Sequence, residues 1–315
     1  MPLAFSKALV TGGAGFIGSH LVTALVNDGC SVTVLDNLAS GHRRNLAAVA
    51  QQIRFVEGDI QDSVVLGKAM EGCQVVFHEA AVVSVTKTVE APVSSTLIND
   101  VGTLQVLDTA RLNGVQRVIL ASSSAVYGDD PQMPKTESMT PKPMSPYAVQ
   151  KLTNEYYAGL YYHLYGLQTC CLRYFNVFGP RQDPSSPYSG VISIFMTKAV
   201  HDEEPIIYGD GRQTRDFVYV QDVVHANLLA AKQKKAAGEV FNVGTNHSVS
   251  INALWDEVAR LGGCLRKPQY GAARSGDIVD SLADIEKARR LLEFEPAFEL
   301  RHGLAQTLAW YREGV

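Results

Sequence analysis

Short apolar runs bounded by glycine or polar residues alternate with longer stretches of helical periodicity along the first half of the chain. Ala8–Thr11, Ser31–Leu35, Ile53–Val56, Val75–His78, Arg117–Leu120 and Thr169–Arg173 read as strands. Helical stretches run from the glycines after Thr11 to about Asp28, and over Val64–Met70, Pro92–Asn113 and Pro146–Tyr165. Pro146 suits a first helical turn, where its missing N–H removes no bond. Strands alternating with helices predict an α/β fold with a doubly wound parallel sheet, whose ligands sit beyond the C-terminal strand ends. Past Arg173 the texture changes: Pro180, Pro184, Pro187 and Gly190 mark a loop-rich stretch. A helix near Asp222–Lys232, a strand at Val240–Val243 and helices near Ile251–Leu261 and Leu300–Arg312 follow. The expected division is a cofactor domain over 1–173, with segments near 217–243 returning to it, and a smaller C-terminal α/β substrate domain from 174–216 and 244–315.

At 315 residues and 46% hydrophobic, the chain can bury a sizeable core. A net charge of -4 without a basic run argues against nucleic acid or an anionic membrane surface as partner, so an anionic ligand must be held locally. No segment approaches the roughly 20 apolar residues of a membrane span, and no signal-like segment precedes the first strand, so a cytosolic protein is expected. Cys30, Cys73, Cys170, Cys171 and Cys264 lack CxxC spacing and are expected as buried thiols. The 8 histidines form no ligand-spaced cluster, so no metal site is expected.

The first strand runs directly into Gly12-Gly-Ala-Gly15-Phe-Ile-Gly18 and a helix, the order that a dinucleotide site requires. Gly12 allows the tight turn, Gly15 the approach of a pyrophosphate to the helix N-terminal amides, and Gly18 close packing of helix on strand. Asp36, at the end of the second strand, is placed to take ribose hydroxyls and to repel a 2′-phosphate, which favours NAD over NADP. Arg43 and Arg44 could soften that preference, though exposed loop arginines account for them more simply. Asp59 would face the adenine, Ala80 and Ala81 are small enough to pass a cofactor, and Ser122, Ser123 and Ser124 follow the fifth strand near the nicotinamide or merely cap a turn. Tyr147 and Lys151, at i and i+4 on one helix face, bring an ammonium near a phenol and so favour a phenolate base.

Together the GxxGxxG turn, Asp36, Ser122-Ser-Ser-Ala-Val-Tyr-Gly128, Tyr147-x-x-x-Lys151 and Arg173-Tyr-Phe-Asn-Val-Phe-Gly179 resemble the extended short-chain dehydrogenase/reductase family over essentially the whole chain. The resemblance implies a Rossmann domain in which Phe16, Ile17, Asn37, Ile60 and Asn99 also contact NAD. Within the family the chain is similar to UDP-hexose 4-epimerases, which oxidise C4 of the sugar, turn the 4-keto sugar over and reduce its other face. By that resemblance Tyr147 is the base, Lys151 lowers its pKa and holds the nicotinamide ribose, and Ser123 hydrogen-bonds the same oxygen, with Ser122 and Ser124 as helpers. Related dehydratases and decarboxylases carry acids where Ser124-Ala125 stands here, so elimination and decarboxylation lack their proton donor. On the UDP side, the resemblance gives Asn176, Arg215 and Arg274 to the diphosphate, Tyr208 to the uracil and Asp277 to the ribose, with Gly190 and Val191 in the same pocket. For Arg215 and Arg274, ion pairs with Asp216 and Asp277 are the plainer alternative.

Ser281 falls where epimerases restricted to glucose and galactose carry a bulky Tyr, and 276–284 looks like the same stretch of bacterial UDP-N-acetylglucosamine 4-epimerases. UDP-GlcNAc and UDP-GalNAc are therefore the expected substrates, with Val83, Ser84 and Val85 as further sugar-pocket candidates. UDP-glucose/galactose and UDP-uronate epimerases, or a non-catalytic NAD-binding protein, remain as alternatives. The family also implies a homodimer packed through Pro92–Asn113 and Ser145–Tyr165.

Overall fold

The computed structural model describes residues 5–183, 190–273 and 279–314. In it the apolar runs become β1 (Lys7–Thr11), β2 (Ser31–Asp36), β3 (Ile53–Glu57), β4 (Val75–His78), β5 (Arg117–Ser123) and β6 (Gln168–Tyr174). Four shorter or later strands follow: β7 (Asn176–Phe178), β8 (Ile206–Tyr208), β9 (Thr214–Tyr219) and β10 (Glu239–Val243). Among the described residues, seven strands form one sheet in the order β10-β6-β5-β4-β1-β2-β3. Every pairing in it is parallel, so all seven strands end at the same edge.

Alternation along these strands separates two cores. Val10, Phe77, Ile119 and Leu172 face α1 (Phe16–Asn27), together with a later helix, Val220–Lys232. Leu9, Val76, Val118 and Cys171 face α2 (Ser63–Met70) and two helices further on, Gly102–Leu112 and Pro146–Tyr165. All five cysteines are buried and free. The doubly wound expectation is met, because both faces of a parallel sheet need a helical cover.

Two details differ from the sequence reading. Val85–Glu90 forms a helix of its own, α3, and Pro92–Asn113 is broken into α4 (Pro92–Thr96), a π-helical turn at Leu97–Val101 and α5 (Gly102–Leu112). The helix that carries Tyr147 and Lys151, α6 (Pro146–Tyr165), starts as expected: the Ser145 hydroxyl accepts from the Ala148 amide at 3.2 Å, and Gly166 closes the helix in the left-handed conformation at φ 71. Beyond the loop-rich stretch stand α7 (Val191–Val200), α8 (Val220–Lys232), α9 (Ile251–Gly262), α10 (Glu286–Leu292) and α11 (Leu300–Arg312).

A smaller C-terminal portion packs α7, α9 and α11 around Phe178, Phe195, Phe217 and Trp255. Its sheet is β7, β9 and β11 (Ser248–Ser250), and β12 (Gln269–Gly271) pairs with β8. The extended segment carrying Ser281 is tied to β9, the Ser281 amide donating to the Thr214 carbonyl at 3.2 Å. On its other side the Lys135 amide donates to the Leu282 carbonyl at 2.8 Å. Arg274 and Asp277 lie outside the described residues.

Candidate active site

At the glycine turn the chain passes from β1 to α1 without a side chain in the way. Gly12 has φ 68, and a Cβ there would lie 2.7 Å from the Ala80 amide nitrogen. At Gly18 a Cβ would run into the Gly12 carbonyl, so helix and turn touch backbone to backbone. Gly15 caps α1 with no side-chain bond, and no acidic residue stands in the first helical turn. This leaves helix amides and the positive end of the helix dipole for an anion. The Asp36 carboxylate accepts from Ala14 N at 2.9 Å and Leu38 N at 2.8 Å, which fixes it at the rim of the turn. Asn37 donates to Asp59 at 2.8 Å and joins two more of the expected residues to that rim. The cradle, the carboxylate and the small residues Ala80 and Ala81 fit a dinucleotide. Arg43 is engaged elsewhere, bonded to Glu57 at 2.8 Å and stacked 4.1 Å over Phe55. The Asn99 side chain accepts from Val82 N and donates to Val82 O and Gln150, which shapes the loop after Ala81.

Beyond β5 the Ser123 hydroxyl lies close enough to the Tyr147 phenol to pull its pKa down. Lys151, 5% exposed, donates to the Ala121 carbonyl at 2.7 Å and stands 5.8 Å from the Tyr147 ring centroid. Burial pushes the phenol up to about 12 against the pull of Ser123. The same burial pushes the Lys151 ammonium down to about 8, with Glu79 working against it. Ser122 turns to the other face of β5, where its hydroxyl donates to Glu155 at 2.5 Å. Glu155 is held in turn by Arg173 through two bonds of 2.8 and 2.7 Å. The expectation that Ser122 touches substrate is therefore corrected by strand alternation. Ser124 opens a turn through Tyr127, and the Ser123 hydroxyl also accepts from Ala125 N at 3.2 Å. Ser84 caps α3 by accepting from Lys87 N at 3.1 Å, while Val83 and Val85 beside it are exposed.

One residue that the sequence reading passed over stands in this crevice. Glu79 accepts a hydrogen bond from Tyr174 Oη at 2.8 Å, and Asn227 Nδ2 donates to the same phenol at 2.7 Å. Burial pushes the Glu79 carboxyl up to about 7. Its only sequence signal is its place directly after a strand, at the ligand-binding edge.

Asn176, Gln182, Gly190, Val191 and Phe217 line a cavity of about 90 Å3 next to this crevice, which brings three expected residues together. Arg215 donates to the Thr214 and Val279 carbonyls at 2.8 and 3.2 Å. Asp216, fully buried, accepts instead from Thr245, Asn246 and Ala283 at 2.7–3.1 Å, which replaces the alternative of an Arg215–Asp216 pair. Tyr208 is 39% exposed on β8, and Ser281, 9% exposed, is walled in between β9 and Lys135.

The model of the NAD dependent epimerase/dehydratase family matches residues 8–244, from β1 through β10. The chain belongs to that family. Among members of this NAD-dependent family, it is 40% identical to a putative UDP-glucose 4-epimerase of Methanocaldococcus jannaschii over 96% of this chain and 98% of the other. The UDP-N-acetylglucosamine 4-epimerase of Methanobrevibacter ruminantium, solved with UDP-N-acetylmuramic acid, superposes with a TM-score of 0.95 at 39% identity, each chain covered in full (100%). The UDP-glucose 4-epimerase of Thermus thermophilus, solved with NAD, superposes with a TM-score of 0.89 at 36% identity, over 98% of this chain and 100% of that one.

Proposed function

We propose that the chain is a UDP-sugar 4-epimerase that interconverts UDP-N-acetylglucosamine and UDP-N-acetylgalactosamine. The observation that carries the chemistry is the joint placement of Tyr147, Ser123 and Lys151 at the ligand edge of the sheet. Tyr147, as phenolate, takes the proton of the C4 hydroxyl; Lys151 favours the phenolate by its charge; Ser123 hydrogen-bonds the same oxygen. When bound, NAD supplies the hydride acceptor and then the donor, so the net reaction has no redox change. After the 4-keto sugar turns its other face, Tyr147 returns the proton to the new hydroxyl.

The dinucleotide reading assigns Gly12, Gly15, Phe16, Ile17, Gly18, Asp36, Asn37, Asp59, Ile60, Ala80 and Ala81 to NAD. It takes 1–173 with the returning 217–243 as the cofactor half. UDP then lies against Asn176, Gly190, Val191, Tyr208 and Arg215, with Arg274 and Asp277 as further phosphate and ribose partners. Charge-assisted anchoring of the diphosphate lets the sugar rotate without dissociating. The acetylated substrate is supported by Ser281, a small side chain on a wall pinned from both sides, which leaves room for a substituent at C2.

A homodimer is part of this reading. Val93, Leu97 and Val101 form one exposed stripe, and Val149, Tyr156, Leu160 and Leu164 form another along α6. A second copy would cover both.

The test is to incubate purified protein, without added NAD, with UDP-GlcNAc and separately with UDP-galactose, and to resolve the products by chromatography. UDP-GalNAc should form from the first and disappear with Tyr147→Phe. Turnover of UDP-galactose alone would return the substrate to the non-acetylated pair, and turnover of neither, even with NAD supplied, would overturn both pairs and bring another UDP-sugar or a non-catalytic role to the front.

A further inference from the structure

The strands that end at the crevice present a row of side chains on the face covered by α1 and α8. Phe77, Ile119 and Leu172 belong to the core on that side. Glu79, Ser123 and Tyr174, an even number of residues further along each strand, stand on the same side. Ser123 and Tyr174 are direct partners in the ladder. The backbone of Glu79 abuts the glycine turn, where a Cβ on Gly12 would lie 2.9 Å from the Glu79 carbonyl carbon. The row Gly12, Glu79, Ser123, Tyr174 thus crosses the ligand edge of the sheet, and Lys151, bonded to Ala121 O two residues before Ser123, stands 5.8 Å from the Tyr147 ring centroid.

Glu79 is fixed in that row. Its amide donates to Thr11 O at 3.1 Å, its carboxylate accepts from Tyr174, and Asn227, which holds Tyr174, is anchored on Val223 O at 2.9 Å. The ionisable groups acting on it are Tyr174 from β6 and Lys151 from α6, and its charge acts in turn on Tyr147. Asp100, from the π-helical turn, acts on Lys151. His78 turns to the opposite face, between Thr11 and Thr103.

We propose that Glu79 is a positioning residue for the reaction, whose negative charge opposes the phenolate of Tyr147 and retains the proton of Lys151, so that the base forms once a cationic ligand fills the crevice. The inference rests on the reading of Tyr147 as the base. The electrostatics run the same way: after burial and Ser123, Glu79 is the charge that raises the Tyr147 phenol, and it is the foremost group raising Lys151 against its burial. In Glu79→Gln the amide oxygen still accepts from Tyr174 Oη, but the charge is gone. Both groups then lose their protons at lower pH, and the whole pH profile moves down by about one unit, a tenfold change in proton concentration.

The experiment uses NAD-loaded protein as wild type, Glu79→Gln, Glu79→Asp and Tyr147→Phe. The ultraviolet tyrosinate band is titrated with Tyr147→Phe subtracted, and kcat/KM for UDP-GlcNAc is followed across pH. The tyrosinate step and the acid limb should both move to lower pH in Glu79→Gln and stay in place in Glu79→Asp. An unmoved tyrosinate step in folded Glu79→Gln overturns the proposal. If Glu79→Gln does not fold, Glu79→Ala takes its place: the charge is likewise gone while Asn227 still holds Tyr174, and the tyrosinate step should move the same way. No movement there also overturns it. A moved tyrosinate step in protein that turns over no UDP-sugar would support the role of Glu79 while refuting the epimerase reading.

Discussion

Ser122 and Ser123 are neighbours in sequence and stand on opposite faces of β5: the first gives its hydroxyl to Glu155 beneath α6, and the second meets the Tyr147 phenol in the crevice. The two hydroxyls therefore separate stability from chemistry. Ser123→Ala should reduce kcat by about a hundredfold with little change in melting temperature. Ser122→Ala should leave the chemical step in place and lower stability by about 1.5–3 kcal/mol, the range for a lost bond to a charged group, read from the denaturant midpoint.

The Glu155–Arg173 pair beneath that serine is 4–5% exposed at its side chains, and Arg173 also stacks 4.8 Å over Tyr127. Removing one partner strands a buried charge. Glu155→Met or Arg173→Met should each cost about 3–5 kcal/mol, while the two combined should recover much of the loss. Chemical denaturation of the three variants gives the coupling directly, and equal additive losses would argue against a coupled pair.

Gly12→Ala should lose its hold on NAD. The residue lies at φ 68 and its Cβ would meet the Ala80 backbone, so the turn must shift before a pyrophosphate can settle on the helix amides. Protein purified from this variant should carry less NAD than wild type, measured by absorbance after acid release, and melt at a lower temperature.

Under the proposed function, Ser281→Tyr should suppress turnover of the acetylated pair and spare UDP-galactose, because a phenol there would crowd the substituent at C2. Steady-state comparison of the two substrates decides it. Equal loss on both would mean that the new ring disturbs the site generally.

His78 is buried with both ring nitrogens engaged by Thr11 and Thr103, at 2.7 and 2.9 Å. Burial pushes its pKa down to about 3, so below about 6.5 the unfolded chain takes up a proton that the folded protein refuses. Its contribution to stability is complete above pH 6.5 and falls as the pH drops, by about 1.4 kcal/mol per unit until the folded pKa is reached. His78→Gln should be less stable than wild type at neutral pH, with the gap narrowing on acidification. Guanidinium midpoints at several pH values test it, and a constant gap would contradict it.

Local spacing fixed much of this protein. Apolar runs of four to seven residues alternating with amphipathic stretches leave a parallel sheet as their consistent arrangement, and the glycine turn, Asp36 and the Tyr147/Lys151 spacing act over distances that a strand or a helix turn sets by itself. The short strands β7, β8, β11 and β12 were invisible, since three residues are too few to show a period of two. Which of the adjacent serines faces the crevice was equally hidden: alternation separates them, but the phase depends on which face α6 covers. Glu79 acquires its surroundings from Tyr174, Asn227 and Lys151, residues far apart in the chain that meet where β4 and β6 end beside β5 and helices close over both faces. Sequence spacing determines which groups a segment can present; packing of distant segments decides which of them lose water and act on one another's charge.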